Sequence, residues 1–325
     1  MAKPLCDKEK ILTRQDGIDV LMRPENAEHV SRLTKLLRRV HDMPKLMLRI
    51  KKVLATHKDW CKLVEAMAAA LHIFEEISAF YNDAVYDMDR RFALGLLSPE
   101  DVRAVRTVYA ALHLAIDVPA TAASGEICIL PEYSVELDEL IATYDSLEGY
   151  LTEAAKSILQ AMPLLNHVAV EYVPQIGYLA AIDMIDANFL NPADFKLVYK
   201  MDAKGFFKCH ICYDLDDRIG DIKGHIADLK KKIILALEEG VVAAESSVVE
   251  VSLSIGVLDA TLSLATVAIE MKCTRPEISL DPVLVVKNGR HPLSELAVDV
   301  FVPNDTYLTR DMNVAIITGY VDRSN

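Results

Sequence analysis

The chain has 325 residues, of which 52% are hydrophobic and 26% charged, and a net charge of −13. That length and apolar content support large buried cores and two or three domains, and they exclude a disordered chain. The acidic balance excludes a wholly basic, histone-like binder, yet the first 62 residues hold 15 Lys+Arg against 8 Asp+Glu, so the global sum hides a locally basic segment.

Sparse Gly and Pro, few aromatics and abundant Ala, Leu, Lys and Glu favour helix, so the expected fold class is mainly α. No stretch approaches the roughly 18 consecutive apolar residues of a membrane span, and Met1 to Lys8 lacks a signal-peptide core. An intracellular protein without a membrane partner is expected. Six scattered cysteines read as reduced thiols. Only Cys209-His210-Ile211-Cys212 has metal-ligand spacing, and without a second ligand pair no metal site is expected. An extended strand there would also send Cys209 and Cys212 to opposite faces.

From Pro24 to about Trp60, apolar residues recur at helical spacing through Val30, Leu33, Leu37, Leu46 and Ile50, and Pro44 marks a second helix start. Arg32, Lys35, Arg38 and Arg39 occupy the other face, either as a solvated surface or as a phosphate-binding strip. Helical pattern continues from Cys61 to Leu97. Ser98-Pro99 then supplies a cap and a first-turn proline for a helix to Ile116. Pro119 to Pro131 reads as a loop, and Tyr133 to Leu159 as one long helix. After Pro163 four short β-rich runs follow: 167–174, 177–182, 195–200 and 206–213. Asp216 to about Met271 returns to helix. The final segment, from Ile278, is β-patterned, with an apolar run Val314 to Ile317 before Thr318-Gly319.

Three stretches carry a family likeness: Ser134-Val135-Glu136-Leu137-Asp138-Glu139-Leu140, Asn288-Gly289-Arg290-His291-Pro292-Leu293, and Ile317-Thr318-Gly319. Together with the order helical body, β insert, returning helices and closing β segment, they resemble the MutS family of DNA mismatch repair and recombination proteins. The resemblance implies a helical lever domain over 8–163, a β-rich DNA-clamp insert over 164–213, returning lever helices over 214–274, and the first β elements of a truncated α/β P-loop ATPase domain over 275–325. Tyr172-Val173-Pro174-Gln175-Ile176-Gly177-Tyr178 and Ala193-Asp194-Phe195 look most like the fifth eukaryotic subfamily, which acts in meiotic crossing over. That subtype implies a nuclear protein, a heterodimer with the fourth MutS homologue, and branched recombination intermediates as the DNA partner.

In the clamp-like insert, Lys196, Lys200, Lys204 and Lys208 have even spacing, so in extended chain they share one side. They are either successive phosphate contacts or lysines guarding a sheet edge against aggregation. By resemblance, Phe301, Val302 and Asn304 match the segment that packs on adenine, and Gly319 would open the phosphate loop. The family pattern continues with Pro-Asn, two variable residues and Gly-Lys-Ser, whereas here Tyr320 to Asn325 follows. ATP and magnesium belong to the full-length family, and ATP hydrolysis is not expected of this chain. His291 reads as a turn former and Asp214, Asp216 and Asp217 as helix-start residues, which leaves no catalytic residue. The rival reading is an inert or decoy fragment that acts only through a partner subunit. Exposed strands after about residue 275 are expected to lower solubility.

Overall fold

Helix starts follow the capping chemistry of the sequence. In the computed structural model, which describes residues 5–84, 86–96 and 98–316, α1 (Lys8–Met22) begins after Asp7, whose carboxylate accepts the N–H groups of Glu9 and Lys10 at 3.0 and 3.3 Å. α2 (Ala27–Leu37) and α3 (Met43–Lys51) follow, with Pro44 in the first turn of the latter. α4 (His57–Asp83) opens with a capping pair, in which Asp59 accepts both the Thr56 N–H and the Thr56 hydroxyl at 2.8 Å. α5 (Asp87–Leu96) leads to α6 (Pro99–Ala115), which starts at the expected proline.

The loop expected over 119–131 contains a helix instead, α7 (Val118–Ser124). Asp117 caps it by accepting the Ala120 N–H at 2.9 Å, Pro119 stands in its first turn, and Gly125 ends it at φ 79°. The single helix expected from Tyr133 is two, α8 (Val135–Asp145) and α9 (Leu147–Ala161), divided at Ser146. Ser134 caps the first as its side chain accepts the Leu137 N–H.

Four strands come next: β1 (Val168–Val173), β2 (Gly177–Asp183), β3 (Lys196–Met201) and β4 (Lys204–Lys208). They form one antiparallel sheet in the order β1-β2-β4-β3. The fourth β run stops earlier than the sequence suggests, because α10 (His210–Arg218) takes residues 210–213. α11 (Ile222–Ala243) and α12 (Glu245–Glu270) complete the returning helices. β5 (Leu284–Gly289), α13 (Pro292–Ala297) and β6 (Asn304–Leu308) close the described chain, with β5 and β6 paired antiparallel. Val314 to Ile316, expected as a strand, is irregular and exposed. Ile317-Thr318-Gly319 and Tyr320 to Asn325 lie outside the described residues.

The chain divides into two compact units, one from residues up to Leu46, Lys62–Tyr109 and Ala244 onward, the other from Met47–Cys61 and Ala110–Ala243. In the first, Leu63, Met67, Ala70, Phe74 and Ile77 make a buried stripe on α4. α12 packs against α1 and buries Val248, Val251, Ile255, Leu258, Leu262 and Ala265 at the spacing of a core-facing helix. By length and composition α12 is also apolar enough to cross a membrane, with Leu253, Val257, Val267 and Ile269 exposed on its other sides. In the second unit, α9 and α10 cover one face of the sheet, where Ile158 and Cys212 pack against Val170, Tyr178, Ala180 and Phe207. Mainly α is therefore the fold class, with a small antiparallel sheet inserted between helices.

Candidate nucleic-acid interface

Residues directly opposite each other on paired strands point to the same face. Phe207 pairs with Ala180 and Leu197 on the helix-covered face, and Phe206 pairs with Ala181 and Tyr199 on the other. That second face carries a small apolar cluster of Leu179, Ala181 and Phe206, over which Tyr199 stacks on Phe206 with ring centroids 4.5 Å apart and 12° between planes. Between Leu197 and Tyr199 the register shifts by one residue, so Val198 is a β-bulge.

The bulge breaks the expected alignment of the lysines. Lys196 pairs with Lys208 and Lys204 with Met201, which places Lys196 and Lys204 on the face of the Tyr199–Phe206 stack. Lys200 pairs with Gly205 and so falls on the opposite face. Even spacing predicts one side only for an unbroken strand, and the residue inserted at Val198 reverses the parity. Lys196, Lys200 and Lys204 are exposed. Asp183 stands directly opposite Lys204 on β2.

Lys208 is not available at the surface. It is 6% exposed, its ammonium forms an ion pair with Asp216, and it donates to the carbonyls of Tyr178 at 2.9 Å and Ile176 at 3.2 Å. Asp216 in turn accepts the Tyr178 N–H at 2.8 Å. Lys208 thus ties the β1–β2 hairpin to α10 and leaves the phosphate-contact set proposed from spacing. The helix-start reading of the three aspartates is corrected with it: α10 begins at His210, Asp216 lies inside it, and Asp214 pairs with Arg218 one turn on at 3.5 Å. Burial, with the charges of Tyr172 and Asp216 behind it, pushes the Tyr178 phenol up to about 12.

The earlier start of α10 also overturns the expected divergence of the two cysteines. Cys209 occupies the cap position at φ −130° and Cys212 the first turn, and their sulfurs lie 3.5 Å apart. Among the described residues no group of three or more His, Cys, Asp and Glu side chains comes together as metal ligands.

On α2, Arg32 is committed to Glu76 at 2.8 Å and to Glu28, which removes it from a phosphate strip. In the closing segment Arg290 donates to the carbonyls of Met271 at 2.7 Å and Lys272 at 3.2 Å, capping the end of α12, and meets Glu295 at 3.0 Å. Sequence reasoning missed this role, because Arg290 lies 20 residues beyond Glu270, far outside the last turn in which a basic residue signals a helix-end contact. His291 caps α13 by accepting the Ser294 N–H at 3.1 Å, consistent with a turn-forming role. Val302 is 70% exposed, and the Asn304 amide donates back to the Val302 carbonyl at 3.2 Å. Gly319 lies outside the described residues.

A family profile described as MutS domain III matches residues 1–265. MutS protein homolog 5 of Saccharomyces cerevisiae is 26% identical, with 95% of this chain and 36% of the relative covered. For MutS protein homolog 5 of Caenorhabditis elegans the figures are 24%, 97% and 23%, and for DNA mismatch repair protein MutS of Carboxydothermus hydrogenoformans 26%, 98% and 37%. The chain spans between 23% and 37% of the length of these relatives. With most of its length matched by that profile, and with the likeness to the fifth homologues found in both yeast and nematode, the chain belongs to the MutS family.

Proposed function

We propose that this chain is a DNA-holding body of a MutS-family protein, with the sheet formed by 168–208 as the part that touches the duplex. The observation that carries the reading is the placement of exposed Lys196 and Lys204 on the sheet face opposite the α9–α10 layer, beside the Tyr199–Phe206 stack. Two ammonium groups on one face contact phosphates and add affinity without reading sequence. The lever and clamp roles of the helical and sheet regions, a preference for branched recombination intermediates, a heterodimer with the fourth MutS homologue and a nuclear location belong to this proposal, supported by the likeness to the fifth homologues of yeast and nematode. ATP-dependent action is proposed for the whole protein of the family type, with no step assigned to residues of this chain.

Affinity for a four-way junction and for linear duplex, measured between low and moderate salt, tests the proposal. Log affinity is expected to fall linearly with log salt concentration. Binding that is absent at low salt, or unaffected by salt, would support the rival reading of a fragment that acts only through a partner subunit.

A further inference from the structure

We propose that Cys209 and Cys212 form a reversible thiol–disulfide site at the junction of β4 and α10, with a small peroxide as its two-electron oxidant. The geometry carries this. Cys209 leaves the strand in extended conformation and Cys212 sits in the first turn of the helix, so the two side chains meet with their sulfurs 3.5 Å apart. A disulfide has a sulfur–sulfur bond of about 2.0 Å, so closure requires an approach of about 1.5 Å, within reach of side-chain rotation. Cys6 and Cys273 are exposed, whereas Cys209 and Cys212 are 4% and 0% exposed. Such burial disfavours a bulky disulfide reagent and leaves a small oxidant, admitted by local opening of the helix start.

The roles of the two sulfurs differ. The Cys212 thiol donating to Cys209 holds the Cys209 pKa below that of an ordinary thiol; burial opposes this, and the backbone N–H groups of Cys212 and Ile211 add to it. Cys212 is pushed the other way by the same contact and by burial. Cys209 stands at the cap of α10, where the N–H groups of the first turn meet its sulfur, and this position makes it the attacking thiolate and Cys212 the resolving thiol. The Cys209 thiolate attacks one oxygen of hydrogen peroxide, which forms a sulfenic acid and releases hydroxide that takes up a proton as water. The Cys212 sulfur then attacks the Cys209 sulfur, a second water leaves, and two thiols and one peroxide have become one disulfide and two waters. A dithiol reductant reverses the change by exchange. The bond straps the first turn of α10 to the end of β4, next to Lys208 and one helical turn before Asp216.

The test treats the whole chain with hydrogen peroxide, follows intact mass and maps the peptides. The expected result is a loss of two hydrogens, located between Cys209 and Cys212 and restored by dithiothreitol. In Cys212→Ser the sulfenic acid on Cys209 persists and is captured by dimedone, whereas Cys209→Ser gives no dimedone adduct on Cys212. The proposal is overturned if Cys209 and Cys212 both take up iodoacetamide on unfolding after peroxide has oxidised Cys6 and Cys273, or if dimedone labels Cys212 rather than Cys209. The mapping of the unsubstituted chain decides the matter even if neither variant folds.

Discussion

Lys208 and Asp216 form an ion pair directly beside Gly177, and between them they take up the Ile176 carbonyl and both the carbonyl and the N–H of Tyr178. The end of β4, the start of β2 and the middle of α10 are thus fastened at one point. Removing one partner leaves the other partly buried without a counter-charge. Lys208→Ala is expected to cost about 3 kcal/mol, the low end for a buried pair because the Asp216 side chain is 27% exposed. Urea unfolding reads this directly, and a loss below about 1 kcal/mol would mean that the pair is screened like a surface bridge.

Gly177 makes the fastening possible. Its φ is 96°, and a Cβ there would lie 2.9 Å from the Lys208 ammonium and closer still to the Asp216 carboxylate. Gly177→Ala therefore adds backbone strain to displacement of the pair, and is expected to destabilise by more than about 1 kcal/mol. Retained stability in thermal unfolding would show that the hairpin tip adapts at no cost.

The salt dependence of DNA binding separates the lysines. Lys196→Ala is expected to lower the slope of log affinity against log salt by about one. Lys204→Ala lowers it less, because Asp183 stands opposite and already offsets the charge. Lys200→Ala, on the opposite face, leaves the slope unchanged. Equal effects of Lys196 and Lys200 would refute the face assignment.

Alkaline unfolding reports on Tyr178. Burial holds its phenol neutral up to about 12, while an unfolded tyrosine ionises near pH 10. The contribution is complete below pH 10 and is lost as pH rises from there to about 12, because only the unfolded chain releases the proton in that window. Tyr178→Phe removes the titration and also the bond from the hydroxyl to the Gly220 carbonyl at 3.3 Å. It is expected to be modestly less stable at neutral pH and to lose less stability between pH 10 and 12, which stability curves at both pH values would establish.

Arg290 links the closing β segment to the rest of its unit through the carbonyls of Met271 and Lys272, just past the end of α12. Arg290→Ala is expected to cost about 1 kcal/mol and to speed amide exchange at the end of that helix. The exposure of Leu284, Val285 and Tyr307 on β5 and β6 supports the expectation that deletion after residue 275 raises solubility. The same deletion removes the arginine cap, so a gain in solubility should come with fraying at Met271, measurable by hydrogen exchange.

Much of the helical body was legible because long apolar periodicities and caps such as Ser98-Pro99 and Ser134 act locally. The helix at Val118–Ser124 was equally signalled, by Asp117, Pro119 and Gly125, but its proline and glycine invite a loop reading when taken singly. Strand positions were legible, whereas the extent of β4 was not, since Cys209-His210-Ile211-Cys212 has no period long enough to tell strand from helix. Lys208 shows the deeper limit. Its burial depends on Asp216 and on two carbonyls of a different hairpin, partners that spacing along one strand does not reveal.

The bulge at Val198 makes the electrostatic character of this sheet a question of chain length as well as of composition. Deleting Val198 would restore strict alternation through β3 yet leave Lys200 opposite Gly205, whereas one residue added to the ladder between Tyr199 and Lys200 would bring Lys200 opposite Lys204 and turn a two-lysine face into a three-lysine one without altering any charged residue. Strand insertions and deletions in relatives of this chain are then as informative about phosphate contact as the gain or loss of lysine itself.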